Sequence, residues 1–152
     1  MTKKLYKNIK ILYIEDDEIA RENGLEYLEN FFENIYEASD AIIALQLYEK
    51  HKPDIIITDI QMPKLNGLEF VKRIRQKDKK TQIIIITAFS DKDYLLKAIE
   101  LGLVKYLVKP VREKEFEEAL FLCINALERN ESNIVKLDEF TFFDTFNKNL
   151  IS

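Results

Sequence analysis

The sequence predicts an α/β fold, one parallel sheet with helices on both faces. Three observations carry this. Runs such as Ile55-Ile56-Ile57-Thr58 and Ile83-Ile84-Ile85-Ile86 are mainly β-branched, bounded by polar residues and free of alternation, the pattern of strands buried on both faces. Between such runs, apolar residues recur at intervals of three and four, the period of a helix packed along one stripe. The connections are short, so successive strand–helix units stack into one parallel sheet.

Each element follows in order. The first strand is Ile11-Leu12-Tyr13-Ile14, which runs into Glu15-Asp16-Asp17. The helix after it places Ile19, Leu25, Leu28 and Phe32 at helical spacing, with Asp17 and Glu18 at the positive end of its dipole. Ile35-Tyr36, within Asn34 to Ala38, is a short second strand. Ser39 and Asp40 are both caps for a helix over Ala41 to Lys50, and Pro53 stops it. His51, the one histidine, reads as a surface residue near that helix's C-terminus. The third strand, Asp54 to Asp59, leads into the loop Met62-Pro63-Lys64-Leu65-Asn66-Gly67. Leu68, Val71 and Ile74 mark a third helix, and Thr81 to Thr87 holds the fourth strand. Asp91 caps a fourth helix containing Leu95, Leu96 and Ile99, with Gly102 at its end. Val104 to Val108 is the fifth strand. The final helix, Arg112 to Asn130, carries Phe116, Leu120, Cys123, Ile124 and Leu127 along one stripe, so Cys123 reads as packing.

Composition narrows the function. The chain has 152 residues, 47% of them hydrophobic and 33% charged, enough for one globular domain and unlike a disordered chain. Its net charge of −4 makes it a poor binder of a phosphate backbone. One cysteine cannot form an internal disulfide, which fits a reducing compartment. Met1-Thr2-Lys3-Lys4-Leu5 is not apolar like a signal peptide, and no apolar run reaches membrane-spanning length. A cytoplasmic protein without a membrane partner is expected. Residues 1–130 form the predicted domain; 131–152 are a linker and a short β-prone tail.

The chemistry gathers at one edge. Glu15, Asp16 and Asp59 follow apolar strands, as does Lys109 after Leu107-Val108. In an open α/β sheet, ligands bind beyond the carboxyl ends of the strands. Carboxylates brought together there repel unless a divalent cation joins them, and hard oxygen ligands suit Mg²⁺. A cation, a carboxylate and an opposing lysine make a receptor for a phosphoryl group.

These residues also carry a family resemblance. Ile14-Glu15-Asp16-Asp17, then Pro53 through Pro63 with Asn66-Gly67, then Thr87-Ala88, and finally Tyr106-Leu107-Val108-Lys109-Pro110 resemble, in order and spacing, the receiver domain of two-component response regulators. The resemblance runs from about Lys10 to Glu128. It implies a doubly wound, flavodoxin-like (βα)5 sheet with strand order 2-1-3-4-5. It implies that Asp59 accepts a phosphoryl group from a sensor histidine kinase. Asp16 then binds Mg²⁺ directly, Glu15 acts through water, and the carbonyl of Gln61 completes the protein ligands with Asp59. Thr87 and Lys109 match the hydroxyl and ammonium that meet the phosphoryl oxygens, and Tyr106 matches the aromatic that turns inward when the threonine moves. Asp17 is an acid the family pattern does not require, and it reads first as helix-start charge.

The implied protein is a phosphorylation switch with slow self-dephosphorylation, not a turnover enzyme. The alternatives are an interaction module that works without phosphorylation, or a Mg²⁺-dependent phosphatase with Asp59 as nucleophile. That phosphatase class usually has a second acid two residues on, where this chain has Gln61. Leu103-Val104-Lys105 lacks the acids that many winged-helix regulators carry there. A homodimer is still expected through the fourth helix, fifth strand and final helix, a surface read as Lys92, Lys97, Lys105, Glu113 and Glu117. Phe89, two residues after Thr87, is placed to bias the access of water. The tail, with Ile134-Val135-Lys136-Leu137 and Phe140-Thr141-Phe142-Phe143, resembles the leading strands of a DNA-binding output domain, as in a truncated regulator; the alternative is a natural single-domain protein whose tail packs on itself or on a partner. DNA would be reached only through such a domain, absent from this chain.

Overall fold

The computed structural model describes residues 6–88, 93, 96, 97, 100, 102 and 105–131. Its elements are β1 (Tyr6–Ile14), α1 (Glu18–Leu28), β2 (Phe32–Ala38), α2 (Ala41–His51), β3 (Ile55–Asp59), α3 (Gly67–Lys77), β4 (Gln82–Thr87), β5 (Lys105–Val108) and α4 (Glu113–Glu131). The strands form one sheet in the order β2-β1-β3-β4-β5, each pair parallel, as expected of a doubly wound flavodoxin-like fold. β3 and β4 are buried along their whole length, which explains why their sequences do not alternate.

The side-chain period of two sends successive strand residues to opposite faces. Leu12, Ile14, Ile56, Ile83 and Ile85 pack with Ala44 and Tyr48 of α2 and Phe70, Val71 and Ile74 of α3. Ile11, Tyr13, Ile57, Ile84 and Ile86 pack on the other face with Leu28 of α1 and Phe116, Leu120, Cys123 and Ile124 of α4. Cys123 is buried there, and burial alone pushes its thiol up to about 12, consistent with packing. Among the described residues no helix is long and apolar enough to cross a membrane.

The caps follow the residue types. Asp17, Asp40 and Asn66 each accept the backbone N–H of the third residue of α1, α2 and α3. Asp17 is therefore a helix cap, as its helix-start charge implied.

Several expectations change. Phe32 opens β2 and does not extend α1, and Ile19 is 70% exposed, outside the core stripe. β1 and β2 are longer than predicted, because the chain before Ile11 and after Phe32 continues to pair. His51 is partly covered, its ring stacked on Tyr36 at 3.9 Å between centroids. Within the helix predicted from Asp91, the described residues Asp93, Leu96, Lys97 and Glu100 are helical; Asp91, Leu95 and Ile99 lie outside the described residues, as do Phe89, Val104 and the tail from 132.

At the amino end of the sheet, the buried Tyr48 donates its hydroxyl to Asp78 at 2.7 Å. The other oxygen of Asp78 accepts from the Lys80 and Thr81 amides at 2.9 and 3.1 Å. Burial raises the pKa of Asp78, but the hydrogen bonds from Tyr48, Thr81 and Lys80 outweigh it and hold the carboxyl below the ordinary 3.8. A depressed carboxyl stabilises the fold above its unfolded value, and that contribution fades as pH falls through the folded one, here below about pH 4. Tyr48→Phe should cost about 1–2 kcal/mol at neutral pH. Urea unfolding across pH 7 to pH 3 measures this: the two proteins should differ at pH 7 by an amount that shrinks as pH falls below about 4, and no difference at pH 7 would contradict the account.

Candidate functional site

The sheet's register assembles the site. Ile14 pairs with both Ala38 and Thr58, Asp59 with Ile86, and Thr87 with Val108, so the carboxyl ends of the strands lie side by side. Glu15 leaves β1 with its amide bonded to the Ala38 carbonyl at 3.1 Å, and Asp59 is the last residue of β3. Lys109 follows β5, its amide donating to the Thr87 carbonyl at 2.7 Å. Its peptide bond to Pro110 is cis.

Lys109 extends between two acids. Its ammonium donates to Asp59 Oδ2 at 2.6 Å and to Glu15 Oε1 at 3.0 Å. Asp59 Oδ1 accepts the Gln61 amide at 3.1 Å, and Glu15 Oε2 accepts the Asp17 amide at 3.2 Å. Both carboxylates are buried, at 7% and 5% exposure, whereas Asp16 is exposed. Burial lowers the pKa of Lys109, but hydrogen bonds and charge from Asp59 and Glu15 outweigh it and raise the ammonium above the ordinary lysine range. The lysine is a permanent cation at neutral pH.

Carboxylate oxygens of Glu15, Asp16 and Asp59 lie within 4.8 Å of one another. Three acids face one ammonium, and the donor set is oxygen only, with no histidine or cysteine in it. Such a set suits a small hard cation, and the exposed Asp16 leaves room for the waters that Mg²⁺ retains. The residues present therefore fit Mg²⁺.

The other predicted residues lie at different distances from this cluster. Gln61 is joined to it through its amide. Thr87 ends β4, buried, and connects to Lys109 through the backbone. Tyr106 sits within β5 opposite Ile85 and is 40% exposed.

Sequence reasoning missed two participants. Arg21, one turn into α1, donates to the Glu15 carbonyl at 2.8 Å and pairs with Glu37 of β2 at 3.5 Å, tying the ends of both strands together. Asp17, four residues earlier, is its helical neighbour, and that spacing was the available signal. Tyr13 lines a cavity of about 740 Å³ between α1 and the start of α4, with Glu15, Tyr27, Lys109 and Phe116. Burial, then the charge of Glu15, pushes the Tyr13 hydroxyl up to about 12, so it stays protonated. Glu113 also lines this cavity, and Glu117 accepts the Tyr27 hydroxyl at 3.0 Å. Both glutamates thus face α1, which corrects their placement on a surface beside Tyr106: the helical period located the apolar stripe but not the neighbour of each polar flank.

Comparison with known proteins agrees with this geometry. A family model described as the response regulator receiver domain matches residues 11–121. An uncharacterized response regulatory protein of Staphylococcus epidermidis is 34% identical over 122 residues, 78% of this chain and 47% of that protein. The transcriptional regulatory protein HptR of Staphylococcus aureus is 32% identical over 127 residues, 81% of this chain and 49% of its own length. The chain thus spans about half the length of the curated relatives it matches. Among solved structures, the N-terminal domain of an uncharacterized protein from Wolinella succinogenes superposes with a TM-score of 0.75 at 41% identity, covering 81% of this chain and 99% of that one. A doubly wound sheet with acids and a lysine gathered at its carboxyl edge, matched over most of its length by the family model, makes this chain a member of the response regulator receiver domain family.

Proposed function

We infer that this chain is a phosphorylation-dependent switch in two-component signalling, with Asp59 as the residue that takes the phosphoryl group from a sensor histidine kinase. The observation that carries this reading is the Lys109 ammonium, 2.6 Å from Asp59 and 3.0 Å from Glu15 in an oxygen-only acidic cluster. Asp59, though buried, ends its strand at the carboxyl edge of the sheet, the side where ligands bind in such folds.

In this mechanism an oxygen of Asp59 attacks phosphorus, the phosphorus–nitrogen bond of the donor histidine breaks, and an acyl phosphate forms. The charge that spreads over the phosphoryl oxygens is stabilised by positioned donors, so the protein's task is orientation and electrostatics. Lys109 supplies a cation already paired with the attacking carboxylate. Thr87 supplies a hydroxyl at the neighbouring strand end, and the Gln61 amide orients Asp59. Glu15, Asp16, Asp59 and the Gln61 carbonyl would hold Mg²⁺, which when bound offsets the carboxylates' charge and that of the phosphoryl oxygens. Acyl phosphates hydrolyse, so the same site gives slow self-dephosphorylation.

Movement of Thr87 toward the phosphoryl group would draw Tyr106 inward from its exposed position. That changes a surface including Lys97 and Lys105, through which the chain would form a homodimer. The relation to HptR supports a transcriptional output, with DNA reached through an output domain and not through the receiver itself.

One experiment reads both steps. Acetyl phosphate with Mg²⁺ should add one phosphoryl group by intact mass, and EDTA should abolish it. Sedimentation of the labelled chain should show a heavier species than the unlabelled one. Labelling that ignores EDTA would overturn the metal's part, and an unchanged sedimentation coefficient would overturn the dimer.

A further inference from the structure

The loop between β3 and α3 carries Gln61; Met62 and Leu65 pack on the core, and three polar contacts hold the loop as well. The Gln61 amide donates to Asp59 Oδ1 at 3.1 Å, the Gly67 amide to the Ile60 carbonyl at 2.7 Å, and the Lys64 ammonium to Asp40 Oδ2 at 3.2 Å. The first two close the loop on its own stem. The third crosses to the cap of α2, on a different strand–helix unit. The stem has no slack, since a Cβ at Gly67 would collide with the Asp59 carbonyl oxygen and the Ile60 Cα. Lys64, between the packed Met62 and Leu65, stands at the loop's exposed tip.

Lys64, at that tip, has φ 71, in the left-handed region that costs any residue with a side chain. Its side chain is 61% exposed, so packing does not explain a lysine there. Its contact does. Asp40 is a buried residue whose Oδ1 caps α2 by accepting the Ile43 amide at 2.9 Å, leaving Oδ2 for Lys64. The Asp40 carboxyl stays below its usual range, chiefly through the Ile43 amide and further through Lys64, so it remains a charged partner near neutrality.

We propose that Lys64 and Asp40 form a latch that fixes the loop against α2 and so sets where Gln61 presents its amide to Asp59 and its carbonyl to the metal. They are positioning residues and touch neither phosphoryl group nor cation. The latch rests on the reading of the site given above. With its lysine exposed and screened by water, such an ion pair adds little to global stability, so its effect lies in how often the loop holds its bound geometry.

The test compares Lys64→Gly, Lys64→Arg and Asp40→Asn with the parent chain. Three quantities are read: the thermal midpoint, the Gln61 amide exchange rate by NMR without metal, and the Mg²⁺ dissociation constant by NMR titration. Lys64→Gly should melt no lower than the parent, because glycine relieves the left-handed strain. Its Gln61 exchange should quicken and its Mg²⁺ affinity weaken, each by roughly two- to fivefold. Asp40→Asn keeps the capping oxygen but loses the charge, and should shift both quantities the same way. Lys64→Arg should restore parental values. Parental Gln61 exchange in Lys64→Gly would overturn the latch. A parent chain that binds no Mg²⁺ would instead overturn the metal reading, while Gln61 exchange still decides the latch.

Discussion

Asp59→Asn is expected to abolish phosphoryl labelling by acetyl phosphate while leaving the fold intact. The amide has the shape of the carboxylate, so the bond from the Gln61 amide and a contact to Lys109 are both retained. What is lost is the nucleophile, since a neutral amide oxygen does not form a stable phosphoryl ester here. Stability should hold or rise. Glu15, Asp16 and Asp59 crowd within 4.8 Å, and removing one of three like charges relieves repulsion. Intact mass and thermal melting together check both halves, and labelling at the parental level would remove Asp59 from its assigned role.

Lys109→Ala is the second large effect. Losing the ammonium removes the one cation among the described residues that reaches both Asp59 and Glu15, and phosphoryl transfer should fall about 10²–10³-fold, the scale for removing one preorganised charge stabiliser. Two buried carboxylates are then left facing each other. A fully buried pair broken in this way costs several kcal/mol, but the lysine side chain is 35% exposed and screened, so about 1–2 kcal/mol is expected. Mg²⁺ binding should tighten, because no ammonium competes for the same oxygens. Labelling rate, urea unfolding and an Mg²⁺ titration measure the three consequences. Slower labelling together with weaker Mg²⁺ binding would show that Lys109 acts by holding the metal site together instead.

The site was legible where strand ends alone define it. Glu15, Asp59 and Lys109 each terminate an apolar run, and a parallel sheet must bring such ends to one edge whatever the details of packing. The strand order came from the family resemblance and not from periodicity, which says nothing about which strands are neighbours. Phe32 was misplaced because Leu28 and Phe32 do enter the same core cluster. The chain reaches it through a turn at Asn30, whose side chain bonds the Tyr27 carbonyl at 3.2 Å, so a spacing of four arose without a helix. Contacts between distant side chains were invisible for a different reason. Lys64 with Asp40, Arg21 with Glu37 and Glu117 with Tyr27 each depend on how two elements meet in space, and no local pattern records that.

A variant that loses labelling acts through a changed site, so the central claim is tested most directly on the unaltered chain. After reaction with acetyl phosphate and Mg²⁺, borohydride reduces an acyl phosphate to homoserine, and peptide sequencing by mass spectrometry locates the modified residue. The account predicts homoserine at position Asp59 alone, at the end of β3. Homoserine at Asp16, Asp17 or another aspartate, with Asp59 unmodified, would contradict it.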